Sequence, residues 1–288
     1  MHMLDPRWET FLVLCETMNY TRAAERLCLT QPAVTHHIHY LEDYYGCRLF
    51  SYEGKVLRLT EAGVRLRELT RSMAYNSRKI ESVMSASAPL CLRVGASKTI
   101  GEYLIAPRIE RFLRSQPAAS FSLLVDNTQV LLQALEAGEL DFVLVEGFFD
   151  QARYEAQLYR QESFFGVCPP GHRLAGRSVP LDELIGERLI IREAGSGTRA
   201  IFEEALHRRN YTLQNFESLV TISDFSTIKS LVADGLGISF LYAPVVEREL
   251  QQGTLARFDL AGLPMEGAFW FVCLKDNLFA KSWTDWMH

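Results

Sequence analysis

Apolar positions along the chain fall into two regimes that change near residue 90. In residues 5–18, Phe11, Leu12, Leu14, Cys15 and Met18 recur at helical spacing, which predicts a first helix broken at Asn19-Tyr20. Thr21 is placed to cap a second helix over 22–27, where Ala23 and Ala24 are small enough for close packing. A turn at Cys28-Leu29 leads to Thr30, which caps a third helix over 31–45. Pro32 stands in its first turn, where a missing N–H costs nothing, and Gly46 ends it. Short apolar strands at 48–51 and 56–59 flank Glu53-Gly54-Lys55, a hairpin turn or wing. Thr60 caps a long helix over about 61–86, with Glu61 placed favourably for the helix dipole. Its apolar seam (Val64, Leu66, Leu69, Met73, Ile80, Val83, Met84) is narrow, so it needs a partner. That partner is either its own domain or, as preferred here, a second copy of the chain. Ser85-Ala86-Ser87-Ala88-Pro89 reads as a hinge.

Beyond residue 90, strand-like runs (90–96, 121–125, 141–145, 164–168, 189–192, 218–222, 238–241, 268–274) alternate with helical segments (103–114, 128–137, 199–209, 225–234, 278–287). This alternation predicts an α/β domain with mostly parallel sheets. The 288 residues suffice for two domains, and 48% apolar with 23% charged residues describes a globular chain. Without a run of 18 apolar residues or an N-terminal secretion pattern, a cytoplasmic protein without membrane contact is expected.

Charge refines this picture. The net charge is −5, yet residues 48–79 hold eight basic and three acidic side chains, a local excess where a DNA-facing wing and helix would lie. The six cysteines (Cys15, Cys28, Cys47, Cys91, Cys168, Cys273) show no Cys-x-x-Cys pair and no zinc spacing, so neither metal nor cofactor is expected. They read as buried free thiols, with a redox switch as the alternative.

Residues 21–45 have helix-turn-helix spacing, with a second helix whose N-terminal residues would meet base edges in a major groove. Gln31, Pro32, Thr35, His36 and His39 are the candidates there. Gln pairs with adenine, and Thr and Pro meet a thymine methyl. Thr30, Arg48 and Lys55 suit phosphates, which give affinity without sequence choice. The ordered segments Tyr20-Thr21-Arg22-Ala23-Ala24-Glu25-Arg26-Leu27, Thr30-Gln31-Pro32-Ala33-Val34-Thr35, Leu41-Glu42, Gly46-Cys47-Arg48-Leu49-Phe50 and Leu59-Thr60-Glu61-Ala62-Gly63 resemble the LysR-type transcriptional regulators. That resemblance extends over the chain length. It implies an α/β-class protein: a winged helix-turn-helix (residues 1–60), a linker and dimerisation helix with hinge (61–89), and a periplasmic-binding-protein-like effector domain (90–288). The last would have two subdomains, about 90–165 with 266–288, and about 166–265. The implied partners are double-stranded promoter DNA, a small-molecule effector, a second or further copies in a dimer or tetramer, and RNA polymerase. His36 and Tyr52 stand where the family commonly carries basic residues.

Open α/β sheets bind ligands at the C-terminal ends of strands, often against helix N-termini. Four places fit: Ser97-Lys98-Thr99, Asn127-Thr128, Glu146-Gly147, and the stretch Arg192-Glu193-Ala194-Gly195-Ser196-Gly197-Thr198-Arg199, of which Gly195 to Arg199 are the candidates. The last has two glycines and two hydroxyls, so its backbone N–H groups can form an anion-binding nest, and Arg199 can add a bidentate contact. Each place also suits ordinary helix capping. Phe225 either walls the pocket or belongs to the core. The first and fourth segments resemble the branch of the family containing sulfur-assimilation and carbon-fixation regulators. That branch implies a small anionic effector such as sulfite, a phosphorylated metabolite or an organic acid. A neutral ligand is the alternative. An enzyme is not expected: Gly195-Ser196-Gly197 lacks the Gly-x-Ser-x-Gly elbow, and no Walker loop or dinucleotide fingerprint occurs.

Overall fold

The computed structural model describes residues 5–84, 91–262, 265–280 and 283. The chain divides into two compact units: residues 1–90 with 136–138 and 274–284, and the remainder. The expected hinge at 85–89 lies outside the described residues, as does most of the helix expected over 278–287.

In the first unit, α1 (Pro6–Thr17) starts on Asp5, whose carboxylate accepts from Arg7 N, and stops at Met18 in the left-handed region. α2 (Tyr20–Leu27) is capped by Asn19 and not by Thr21. The Asn19 carboxamide oxygen accepts from Thr21 N and Arg22 N at 2.9 and 3.1 Å, so the helix opens two residues before the expected start. α3 (Gln31–Tyr45) keeps its expected limits, with Thr30 at the N-cap, Pro32 in the first turn and Gly46 at φ +64° beyond the last. Phe11, Leu14, Ala23, Val34, Ile38 and Leu41 close the three helices over one core.

The strand expected at 48–51 is displaced: β1 is Phe50–Glu53, and it pairs antiparallel with β2 (Val56–Leu59) from Phe50↔Leu59 to Glu53↔Val56. The buried Glu42 carboxylate of α3 causes the shift. Its Oε1 accepts from Leu49 N at 2.8 Å and Phe50 N at 3.3 Å, so the Leu49 amide is not available to extend the ladder, while the Leu49 carbonyl still accepts from Thr60 N at 3.0 Å. α4 (Glu61–Met84) follows, with Thr60 Oγ1 accepting from Gly63 N at 3.0 Å. A Cβ at Gly63 would lie 2.1 Å from the Leu49 carbonyl oxygen, so only glycine lets the helix approach the wing this closely. Val64, Leu69, Met73 and Met84 of the α4 seam are exposed.

The second unit is built on β3 (Cys91–Ser97), β4 (Ser120–Asp126), β5 (Phe142–Glu146), β6 (Tyr154–Cys168), β7 (Ser178–Val179), β8 (Arg188–Ile191), β9 (Ser218–Thr221), β10 (Ser239–Tyr242), β11 (Ala256–Leu260) and β12 (Met265–Leu274). The large sheet runs β4-β3-β5-β12-β6-β11-β7, and β10 also pairs with β6. It is mixed where mostly parallel pairing was expected. β3 is parallel to β4 and β5, whereas β12 opposes β5, and β10 and β11 oppose β6. β8 and β9 form a separate parallel pair, tied to the approach to β10 by a bridge from Leu189 to Ile238. The helices are α5 (Lys98–Tyr103), α6 (Ala106–Ser115), α7 (Thr128–Glu136), α8 (Gly197–His207), α9 (Phe225–Ala233) and α10 (Ala243–Gln252). The segment expected as one helix from 103 is two helices: α5 stops at Tyr103, and α6 starts afresh with Pro107 in its first turn. α10 and β11 had no counterpart in the sequence reading. Among the described residues no helix is long and apolar enough to cross a membrane.

Candidate functional site

Two groups of residues carry the candidate chemistry, one on each unit. On the first unit, α3 turns Val34, Ile38 and Leu41 inward and leaves Gln31, Pro32, His36 and His39 exposed, with Thr35 half-buried. Gln31 Nε2 donates to Thr35 Oγ1 at 3.0 Å, and that hydroxyl donates to the Gln31 carbonyl at 3.1 Å, so the two side chains are held together. Thr30 Oγ1 is engaged as the cap. Arg48 is exposed, but its Nη1 binds Glu42 Oε2 at 2.7 Å, while Lys55 is exposed at the hairpin tip. His37 turns away from this face and hydrogen-bonds Thr10 Oγ1 through Nδ1 at 2.9 Å; burial lowers its pKa, with the Arg7 charge adding to that. The sequence reading passed over the exposed Tyr40, Tyr44 and Tyr45 at the far end of α3, where the Arg7 guanidinium lies 3.5 Å over the Tyr40 ring.

In the second unit, the C-terminal ends of β3, β5, β8 and β10 bring polar groups to one buried place. Glu146 ends β5 and is 2% exposed. Thr198, in the first turn of α8, donates to Glu146 Oε1 at 2.9 Å, and Thr128, at the start of α7, donates to the Glu146 carbonyl at 2.8 Å. Burial raises the Glu146 pKa, opposed by the nearby hydroxyls of Thr99 and Thr198 and by the Arg192 charge. Arg192 follows β8 and is 2% exposed; Nε and Nη2 bind Glu193 at 2.8 and 3.0 Å, and its guanidinium lies 4.2 Å over the ring of the buried Phe225. Tyr242 ends β10, edge-on to Phe164 and Phe269 at 5.0 and 4.9 Å, and Phe269 is the register partner of Glu146.

Ser97 Oγ, Thr99 Oγ1, Glu146 Oε2, Arg192 Nη1 and Tyr242 OH are buried without a well-formed hydrogen bond, although the Thr99 hydroxyl lies near enough to Glu146 to act on its carboxyl. Leaving one such group unpaired costs about 1–3 kcal/mol, so five together describe a place that holds water or a ligand. Gly147 (φ +86°) and Gly197 meet beside it. A Cβ on Gly147 would lie 2.7 Å from Gly197 Cα, and one on Gly197 would lie 2.3 Å from Glu146 Cγ. Outside them, Thr128, Gln129, Phe148, Gly195 and Arg199 line a groove of about 300 Å3.

Ser97, Thr99, Thr128, Glu146, Gly147, Gly197 and Thr198 are therefore brought together, with Phe225 beneath Arg192. The others serve the surroundings. Asn127 caps α7 by accepting from Val130 N, and Ser196 caps α8 by accepting from Arg199 N. Gly195 gives the turn its φ of +85°. Lys98 Nζ donates to the Ser223 carbonyl at 2.8 Å, and Arg199 Nε is engaged with Glu203 at 2.9 Å. Arg192 stands in the fourth stretch but was given no role of its own, and Tyr242 was missed. Arg192 obeys the strand-end rule used for the other positions. Tyr242 was hidden in the apolar run Phe240-Leu241-Tyr242, where a phenol reads as core. Among the described residues no group of His, Cys, Asp and Glu side chains is arranged to hold a metal.

Residues 7–64 match the family described as bacterial regulatory helix-turn-helix protein, lysR family, and residues 91–286 match LysR substrate binding domain. The RuBisCO operon transcriptional regulator of Allochromatium vinosum is 30% identical over 277 residues, covering 94% of this chain and 90% of that protein. The HTH-type transcriptional regulator CysL of Bacillus subtilis is 28% identical over 246 residues, covering 84% and 81%. The regulatory domain of CcmR from Synechocystis, solved in complex with 2-PG, shares the fold with a TM-score of 0.60 at 22% identity, covering 68% of this chain and 95% of that one.

Proposed function

The chain belongs to the LysR family of transcriptional regulators, and from that premise we propose how its parts divide the work. Residues 1–60 bind double-stranded promoter DNA. Gln31, Pro32, Thr35, His36 and His39 read bases in the major groove, and Thr30, Arg48 and Lys55 bind phosphates. Residues 61–89 carry the dimer contact; the exposed Val64, Leu69, Met73 and Met84 support this, because an apolar seam in water is a cost that a second helix removes. The chain works as a dimer or tetramer, and the DNA-bound assembly meets RNA polymerase in the cytoplasm. Residues 90–288 sense the effector, with subdomains of about 90–165 plus 266–288 and about 166–265.

The effector is a small anion held at the ends of β3, β5, β8 and β10. The observation that carries this is the convergence of five buried, partnerless polar atoms, one of them on the guanidinium of Arg192. Ser97, Lys98, Thr99, Asn127, Thr128, Glu146, Gly147, the Gly195–Arg199 turn and Phe225 form or frame the place, and Arg192 and Tyr242 are added to them. The 2-PG complex of the CcmR regulatory domain favours an anion over a neutral ligand. Anion binding favours one arrangement of the subdomains and so shifts the spacing or bend of the bound DNA, to the extent of its differential affinity for the two arrangements.

Thermal-shift titration of the full chain with sulfite, sulfate, phosphate, 2-phosphoglycolate and short organic acids tests this. A concentration-dependent rise in melting temperature that vanishes in Arg192→Gln supports the site. A rise of the same size in that variant removes Arg192 from it.

A further inference from the structure

The five partnerless atoms make different demands on an occupant. Arg192 Nη1 only donates, an ionised Glu146 Oε2 only accepts, and the hydroxyls of Ser97, Thr99 and Tyr242 do either. An oxyanion therefore satisfies Arg192 and the three hydroxyls but meets an ionised Glu146 as a like charge.

The surrounding charges do not relieve that conflict. Arg192, beyond β8, is the cation acting on Glu146, and Nε and Nη2 of its guanidinium are taken by Glu193. That ion pair sums to zero. An ionised Glu146 then leaves one negative charge in a buried place, and a bound anion would add at least one more with no second cation acting on Glu146. Lys98, from α5, donates to the neutral Ser223 carbonyl and keeps its charge, but that charge acts on Glu102, Glu193 and Asp224 rather than on Glu146. The remaining groups acting on Glu146 are the hydroxyls of Thr99 from α5 and Thr198 from α8 and the Thr198 backbone N–H; Tyr242 from β10 feels the charges of both Glu146 and Glu162 of β6.

Building on the effector site proposed above, we propose that an oxyanion enters this chamber together with one proton, which Glu146 carries and donates from Oε2 to the ligand. The proton comes from solvent, and no covalent bond to the ligand forms or breaks. Oε1 keeps its bond from Thr198, so the carboxyl bridges the α8 N-terminus and the ligand. Burial already favours the neutral acid here, so the proton is added where the fold makes it least costly. The consequence is a sensor whose affinity for an anion rises with acidity, although the anion itself does not titrate.

Calorimetric titration of the full chain and of Glu146→Gln with nitrate, glycolate and sulfate, between about pH 5.5 and about pH 8.5, tests the proposal; none of the three changes charge in that range. Gln preserves the shape, accepts from Thr198 through its oxygen and offers an N–H to the ligand. The native Kd for a probe should weaken toward about ten-fold per pH unit above the Glu146 pKa, while the variant binds with no pH dependence. A pH-independent native Kd, or the same slope in Glu146→Gln, overturns the proton coupling while leaving the anion site standing. Absence of binding of every probe to both proteins at every pH overturns the anion site, and the coupling with it.

Discussion

Removing the Glu42 carboxylate should release the wing. Glu42→Ala leaves the amides of Leu49 and Phe50 without their acceptor in a region where both residues are buried. At about 1–3 kcal/mol for each orphaned group, the loss is about 2–6 kcal/mol. The Arg48 contact adds little, because the guanidinium side of that pair is 74% exposed. Glu42→Gln separates the effects: its oxygen still accepts both amides, and only the charge assistance is lost, about 1 kcal/mol. The assay is hydrogen exchange across residues 48–60 in the full chain, which reads local opening without assuming that both units unfold together. A loss of 2 kcal/mol accelerates exchange about 30-fold, and a loss near the upper limit removes protection of the hairpin altogether. Equal exchange in native protein and Glu42→Ala would refute the idea that this carboxylate sets the start of β1. Equal acceleration in Ala and Gln variants would assign the effect to charge instead.

Other outcomes follow from the same geometry. Gly63→Ala places a Cβ 2.1 Å from the Leu49 carbonyl, which already accepts from Thr60 N at 3.0 Å, and should cost about 1–3 kcal/mol or more, read as a lower melting temperature of the first unit. Gly197→Ala drives a Cβ to 2.3 Å from Glu146 Cγ and should displace the start of α8, reducing the anion-induced thermal shift more than the melting temperature of the free protein. Asp224 caps α9 by accepting from Thr227 N at 2.7 Å, and the hydrogen bonds to its carboxylate hold its pKa at about 2. Asp224→Ala should therefore cost about 1 kcal/mol at neutral pH. A lowered carboxyl pKa stabilises above the unfolded value and loses that contribution as pH falls through the folded value, so the gap between native and variant in thermal melts narrows from about pH 4 toward about pH 2. Burial pushes the thiols of Cys15 and Cys273 up to about 12 and that of Cys168 to about 11. Alkylation followed by mass analysis should thus modify the exposed Cys28 and Cys47 and spare those three until denaturant is added.

Local rules read the first unit well because its boundaries are set locally. Thr30, Pro32 and Gly46 fixed the limits of α3 from within a few residues. The errors arose where a more distant or stronger partner won. Asn19 outcompeted Thr21 because its carboxamide reaches two amides, and the start of β1 was decided by Glu42, eight residues before Phe50. In the second unit the buried strands were legible as apolar runs, but the first ten residues of β6 (Tyr154 to Ser163) alternate with charged and polar side chains and present no such run. The strand-end rule pointed to Ser97, Thr99 and Glu146, which the fold brings to one buried place. It singled out Arg199, which the structure engages with Glu203, over Arg192 at the strand end, because the glycine-rich turn drew attention past it. Tyr242 required knowing which face of β10 looks toward Glu146, which only the pairing of β10 with β6 supplies.

That pairing has a mechanical consequence. β6 is one unbroken strand of 15 residues that borders β12 in the large sheet and, at Phe164–Val167, also holds β10. A rotation of the β10 side against the β5–β12 side cannot be taken up by a loose loop at this crossing. It must wind or unwind a hydrogen-bonded ribbon, so β6 acts as a torsion bar: stiff against shear, compliant in twist, and restoring once the load is gone. Movement of this kind is graded and reversible, and its range is set by how far a β-ribbon can be wound before its ladder breaks.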